Sequence, residues 1–263
     1  MPSLSCANKQ ESAFFADAGA GAAELKLAYA LENSLDLALL IGEPGFGKTT
    51  VLRRFAHRAA AQGHILVDVF FPQLNADQLV AFIDGELGAP DDLIGRARNA
   101  SLRRIARRAH QLARQNRAMI LLIDDAHLLD DRDALEVLHS LLNLRDRESV
   151  QLTIVLAGEK TLLANLARVP ALAGRVGVTA VLSPLDLDAT RAYLRHRSRV
   201  AQRPIAAFHE DIVQRLHQET AGNPRALNRI AEMAALLARA EGRENVTLDD
   251  LENLKEESWK CEE

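Results

Sequence analysis

The chain has 263 residues and a mass of 28.9 kDa, with 48% hydrophobic and 26% charged residues, a formal charge of −4 and an isoelectric point near 6.1. That length admits one large α/β domain with an appendage or two modest domains, and the composition excludes disordered, collagenous and disulfide-scaffold classes. The mild negative charge excludes whole-molecule attraction to nucleic acid or anionic lipid, so either partner would need a local patch.

In chain order, the first ten residues lack the apolar core of a signal peptide, and the apolar runs 37–41 and 118–123 are too short to cross a bilayer. This predicts a cytoplasmic protein with no membrane span. Cys6 and Cys261 sit at opposite ends of the chain and read as reduced thiols. Short Leu/Ile/Val runs predict strands over 37–41, 65–70, 118–123, 152–157 and 176–182, with helices over 22–31, 49–62, 76–86, 100–116 and 134–143 between them. Strands alternating with helices are the pattern of a buried parallel sheet. After Ser183-Pro184-Leu185 only helical patterns remain, over 189–200, 210–220, 224–241 and 248–257. The expected division is a core over 1–185, a helical domain over 186–257 and a charged tail over 258–263.

The first strand runs into Gly42-Glu43-Pro44-Gly45-Phe46-Gly47-Lys48-Thr49, which satisfies G-x-x-x-x-G-K-[ST] between a strand and a helix. Glycines at this spacing let backbone N–H groups and a helix N-terminus surround phosphates. Gly42, Gly45, Phe46, Gly47, Lys48, Thr49 and Thr50 are therefore the nucleotide-binding stretch, within which Glu43, Pro44 and Phe46 fill variable positions. Lys48 is read as reaching the β- and γ-phosphates and the Thr49 hydroxyl as holding Mg²⁺. The apolar run ending in Asp124-Asp125 supplies the second half of the site: Asp124 for the Mg²⁺ shell, and Asp125 to orient or deprotonate the attacking water. Alone, an Asp pair after a strand is also ordinary turn chemistry. The absence of an N-K-x-D string favours ATP over GTP.

Gly222-Asn223-Pro224-Arg225 reads as a capped helix start, with Arg225 in the first turn, where a cation opposes the helix dipole unless it faces an anion. ATP phosphate and solvent are the two readings of its partner. Arg96, Arg98, Arg103, Arg104, Arg107, Arg108, Arg114 and Arg117 gather on and around one helix whose apolar face is Leu102, Ile105, Ala109 and Leu112. That face is either solvated or a surface for nucleic acid or an acidic neighbour, and no aromatic residues accompany it to stack bases. The histidines, His127 included, show no metal-ligand spacing and read as structural or solvent-facing.

With Leu122-Ile123-Asp124-Asp125-Ala126-His127, Ile154-Val155-Leu156-Ala157-Gly158-Glu159 and Gly222-Asn223-Pro224-Arg225-Ala226-Leu227-Asn228-Arg229, the sequence resembles the ExeA/GspA type of AAA+ ATPase over about residues 14–254. The resemblance implies an α/β P-loop NTPase (AAA+) core with a five-stranded parallel sheet and a C-terminal helical lid. It also implies a homo-oligomeric ring or filament with ATP between subunits. By resemblance Arg225 is the lid's sensor arginine, and Arg175 matches a finger supplied to the neighbour's ATP, against the alternative of a salt bridge. Asp125 stands where the family usually has Glu, one methylene longer, which predicts slow hydrolysis. Glu159 replaces the usual Gln, adding negative charge near the γ-phosphate position. The expected function is an ATPase that remodels or organises a protein complex, with secretion or envelope machinery the leading setting. The second reading is an ATP-dependent regulator of transposition forming filaments on duplex DNA, as in the related MuB, TniB and TnsC. The third is a binding switch that seldom hydrolyses ATP.

Overall fold

The computed structural model describes residues 15, 17–90, 94, 97–129, 131–148, 150–200 and 208–259. Cys6, Cys261, Arg96 and the end of the charged tail lie outside them. The elements run α1 (Ala18–Glu32), β1 (Leu37–Ile41), α2 (Lys48–Ala61), β2 (Ile65–Val69), α3 (Ala76–Glu86), α4 (Arg98–Arg114), β3 (Met119–Ile123), a 3₁₀ turn (Ala126–Leu128), α5 (Arg132–Glu148), β4 (Leu152–Gly158), α6 (Thr161–Ala167), α7 (Pro170–Ala173) and β5 (Val176–Val181). Helices α8 (Leu187–Val200), α9 (Glu210–Thr220), α10 (Pro224–Ala240) and α11 (Leu248–Trp259) follow.

The five strands form one parallel sheet in the order β2-β3-β4-β1-β5. The three inner strands β1, β3 and β4 are buried at every position, whereas β2 and β5, at the edges, are mixed. This is why the inner strands read as unbroken apolar runs. The sheet core extends to Leu79, Ile83, Ile105 and Leu112 of α3 and α4, and to Leu135 and Leu138 of α5. Because all strands are parallel, their carboxyl ends share one edge, and the chain leaves β1 toward β2 on one side and returns to β5 on the other. The end of β1 is thus the topological switch point, where open α/β sheets bind ligands.

Chain contacts separate two units: Gly21–Pro44 with Lys48–Leu182, and the described residues of Met1–Ala20, Gly45–Gly47 and Ser183–Glu263. The second has its own core of Leu194, Leu216, Leu227, Ala234 and Leu251. Gly222 is indispensable to it: at φ +69°, a β-carbon would lie 2.0 Å from the Leu185 carbonyl oxygen. Its own carbonyl accepts from the Leu185 N–H at 2.9 Å, which ties α9 to the segment entering α8.

Asp250, 2% exposed, holds the start of α11. It accepts from Arg243 Nη1 at 2.8 Å, from the Thr247 N–H at 2.8 Å and from Thr247 Oγ1 at 3.0 Å. The Arg243 guanidinium, aided by Thr247, holds the carboxyl down at about 2. A carboxyl depressed in the folded state stabilises above its unfolded pKa of about 3.9 and ceases to do so as pH falls through its folded value. Asp250→Asn is expected to cost about 2 kcal/mol at neutral pH, and urea denaturation should show that deficit shrinking between about pH 4 and pH 2.

Candidate functional site

Lys48 opens α2 directly after the glycine-rich turn and is 7% exposed. Its ammonium donates to the carbonyl oxygens of Gly42 at 2.8 Å and Glu43 at 3.3 Å, a set of neutral acceptors that leaves its charge uncompensated. Gly42 is buried, and a β-carbon there would meet Leu182 Cβ at 3.1 Å, the segment leaving β5. Phe46 is half-buried and Thr50 exposed, and neither has a polar role in this geometry.

Thr49 and Asp124 come together although β4 lies between their strands. Thr49 Oγ1 donates to Asp124 Oδ2 at 2.6 Å. The other Asp124 oxygen accepts from the Asp125 N–H at 3.0 Å, and the Asp124 N–H donates to the Val69 carbonyl of β2. The Asp124 carboxylate is therefore fixed from both flanks. Asp125 is exposed and sits in the left-handed region at φ 48°, ψ 34°, a conformation Asp tolerates better than most residues. That turn ends β3 abruptly and starts the 3₁₀ segment.

Two further acidic groups accompany this site: Glu159, expected near the γ-phosphate position, and Asp68, which was not legible as a site residue. Asp68 pairs in register with Leu122 of β3, and its carboxyl is raised by partial burial first and by the Asp124 charge second. Glu159, at the tip of β4, places Oε1 3.4 Å from His127 Nε2, so His127 is a partner of Glu159 rather than a detached structural histidine. Gly158 permits this approach, because a β-carbon there would lie 3.1 Å from the His127 nitrogen. The Asn165 amide fixes the turn by donating to the His127 carbonyl at 2.9 Å. For the His127–Glu159 contact, a His two residues beyond the Asp pair and an acid after β4 were the only signals, and they are 32 residues apart.

Arg175 lies just before β5, at the amino edge of the sheet, opposite the edge that bears Lys48 and Asp124. A five-residue strand spans about 16 Å, so Arg175 cannot serve its own chain's P-loop. It donates to Asp36 Oδ2 at 2.8 Å and to Asn143 Oδ1 at 3.0 Å, and Arg145 also pairs with Asp36. Arg225 belongs to the helical unit. Its N–H donates to the Gly45 carbonyl at 3.3 Å and to Asn223 Oδ1 at 3.0 Å, the latter being the cap of α10. Gly45, at φ +85°, is as constrained here as Gly222: a β-carbon would stand 2.5 Å from Asn223 Oδ1 and 2.9 Å from Arg225 Cβ. Among the described residues, no group of three His, Cys, Asp or Glu side chains could by itself hold a metal ion, and no helix is long and apolar enough to cross a membrane.

A model of the AAA domain matches residues 34–166, half of the chain. The chain belongs to the AAA+ ATPase family. It is 32% identical over 239 residues to general secretion pathway protein A of Aeromonas hydrophila, a match that covers 88% of this chain and 42% of that protein. The chain thus spans less than half the length of this relative. Its fold is that of Cdc6p from Pyrobaculum aerophilum (TM-score 0.69, 24% identity, 88% of this chain and 64% of that one). Similar too is the Aeropyrum pernix ORC1 protein solved in complex with DNA (TM-score 0.65, 20% identity, 90% and 64%). The Thermotoga maritima RuvB Holliday junction branch migration motor shares it as well (TM-score 0.60, 18% identity, 90% and 68%).

Asp36 bridges two guanidiniums in a half-buried cluster, with side-chain exposures of 16% for Asp36 and 25–26% for the two arginines. Asp36→Asn is expected to destabilise the protein by about 2 kcal/mol, and Arg175→Ala by less, since Arg145 remains on the carboxylate. Denaturant titration of the two variants checks the order.

Proposed function

We propose that this chain binds and hydrolyses Mg-ATP as a homo-oligomer, ring or filament, and uses the cycle to assemble or remodel a protein complex of secretion or envelope machinery on the cytoplasmic side. The observation that carries the reading is the 2.6 Å contact between Thr49 Oγ1 and Asp124 Oδ2. A hydroxyl and a carboxylate held side by side beyond a P-loop offer adjacent oxygen ligands, which is what a hard, water-retaining divalent cation takes. The residues therefore fit Mg-ATP. In this reading residues 1–185 are the ATPase core and 186–257 the lid.

Each residue has a task in this reading, those of Arg225 and Arg175 resting on the family resemblance. The N–H groups of 45–49 and the start of α2 surround the phosphates, with Lys48 exchanging the Gly42 and Glu43 carbonyls for β- and γ-phosphate oxygens. Thr49 and Asp124 hold Mg²⁺, which when bound offsets charge on the transferred phosphoryl group. Asp125, from its left-handed turn, orients or deprotonates water. Glu159 would add a second negative charge at the γ-phosphate, beside His127. Arg225 serves as the lid's sensor arginine. Arg175 acts on the neighbour's ATP, and the Asp36–Asn143 contacts hold its guanidinium until subunits meet.

Lys48→Ala is expected to abolish ATP binding measured by fluorescent-nucleotide titration, and retained affinity would refute the site. Asp125→Glu extends the carboxylate toward the water and is expected to raise steady-state turnover severalfold. An unchanged or lower rate would exclude a distance-limited base. A second reading, ATP-dependent filament formation on duplex DNA as a regulator of transposition, is favoured by one observation. Arg103, Arg107 and Arg114 are exposed on α4 with no acidic partner among the described residues.

A further inference from the structure

Helices α3 and α4 enclose an open groove of about 280 Å³, remote in sequence from the P-loop and from the Asp124 turn. One wall is the end of α3 and the turn after it, Leu87 to Pro90. The other is Arg104, Arg107, Arg108 and Gln111 of α4. The backbone of the turn is already satisfied, since the Gly88 N–H donates to the Gly85 carbonyl and the Ala89 N–H to the Asp84 carbonyl. Any ligand must therefore be met by side chains.

Those side chains carry a surplus of positive charge. Arg104 closes on Asp84, which is 1% exposed, with Nε at 2.9 Å from Oδ2, so that pair contributes no net charge to the groove. Arg107 has no polar partner among the described residues. Arg108 makes only a 3.4 Å contact from Nη1 to Gln111 Oε1, and its Nε is shut off from solvent without an acceptor. A buried guanidinium N–H without an acceptor is costly and uncommon. Two guanidiniums lining one groove, whose one carboxylate among the described residues, Asp84, is already taken by Arg104, suit a phosphate dianion, which has acceptors for both, better than a carboxylate, which fills one fork.

We propose that the α3–α4 groove is a phosphate-binding site, with Arg107 and Arg108 as the donors, separate from the ATP site and independent of whether the chain hydrolyses ATP. The phosphate comes either as a small soluble anion or as the backbone of duplex DNA, which the Arg103–Arg107–Arg114 face would extend along the strand.

Pyrophosphate is the probe, titrated calorimetrically into the wild-type chain, Lys48→Ala, Arg107→Gln/Arg108→Gln and Arg107→Lys/Arg108→Lys. The expected result is two sites in the wild type and one in Lys48→Ala. In the Lys48→Ala background that remaining site weakens at least tenfold with the Gln pair, and by less with the Lys pair, whose ammonium groups keep charge but cannot fork. Displacement of pyrophosphate from Lys48→Ala by a 20-base-pair duplex assigns the phosphate to a nucleic-acid backbone, and failure to displace assigns it to a small anion; both retain the groove. A single wild-type site lost with Lys48→Ala overturns the proposal, as does a residual site indifferent to Arg107 and Arg108.

Discussion

The architecture depends on one constraint: the turn after β3 must reach the start of α2 although β4 separates their strands. The register sets the offset, because Ile41 stands opposite Gly158 across β1–β4, and Ile123 opposite Leu156 across β3–β4, so β3 stops two residues short of β1. With that offset, the turn after β3 and the first turn of α2 bridge the intervening strand, and Thr49 meets Asp124. A slip of the register would separate the two oxygens and also turn buried side chains to the wrong face. Burial of the inner strands is thus what sets the ligand geometry.

That edge concentrates negative charge. Asp124, Asp125, Glu159 and Asp68 crowd around strand ends, against a single buried lysine whose ammonium meets only carbonyl oxygens. The Asp68 carboxyl is raised, first by its burial and second by the Asp124 charge. A divalent cation at Thr49 and Asp124 would offset part of the negative charge, and phosphate would then find Lys48 and the backbone N–H groups within reach. In the proposed reading, the two halves of the site are in this sense electrostatically incomplete without each other's ligand. The distribution at the amino edge is the opposite: there Asp36 bridges two arginines, and the cluster is closed.

What was legible in the sequence was local. The strand Leu37–Ile41 and the helices Ala76–Glu86 and Glu210–Thr220 have the bounds that periodicity and turn signals predict. Asn75 with Gln78 forms a capping box and Asn223 caps α10, both set by residues within three positions. The parallel sheet followed from unbroken apolar runs, and the AAA+ assignment from a resemblance carried by the P-loop and the stretches 122–127, 154–159 and 222–229. Helices α6 and α7 were missed because seven and four residues of Leu, Ala and Asn carry too little periodicity, and α6 has no side-chain cap. The partners of His127, Asp36 and Asp68 were invisible because strand order, which no local pattern states, brings together residues 32, 139 and 56 positions apart. For α4 the spacing gave the outward arginines, while the division between Arg104, paired to Asp84, and Arg107, without an acidic partner among the described residues, needed the packing of α3.

The central claim is that Thr49 and Asp124 act as one cation-binding unit, and a double-mutant cycle of Thr49→Ala and Asp124→Asn, read as ATP affinity with and without Mg²⁺, tests it most directly. The account predicts that either substitution removes most of the Mg²⁺ enhancement, that the double variant loses little more than the worse single one, and that affinity in EDTA is nearly the same in all four proteins. Additive losses, or losses of equal size without Mg²⁺, would contradict it.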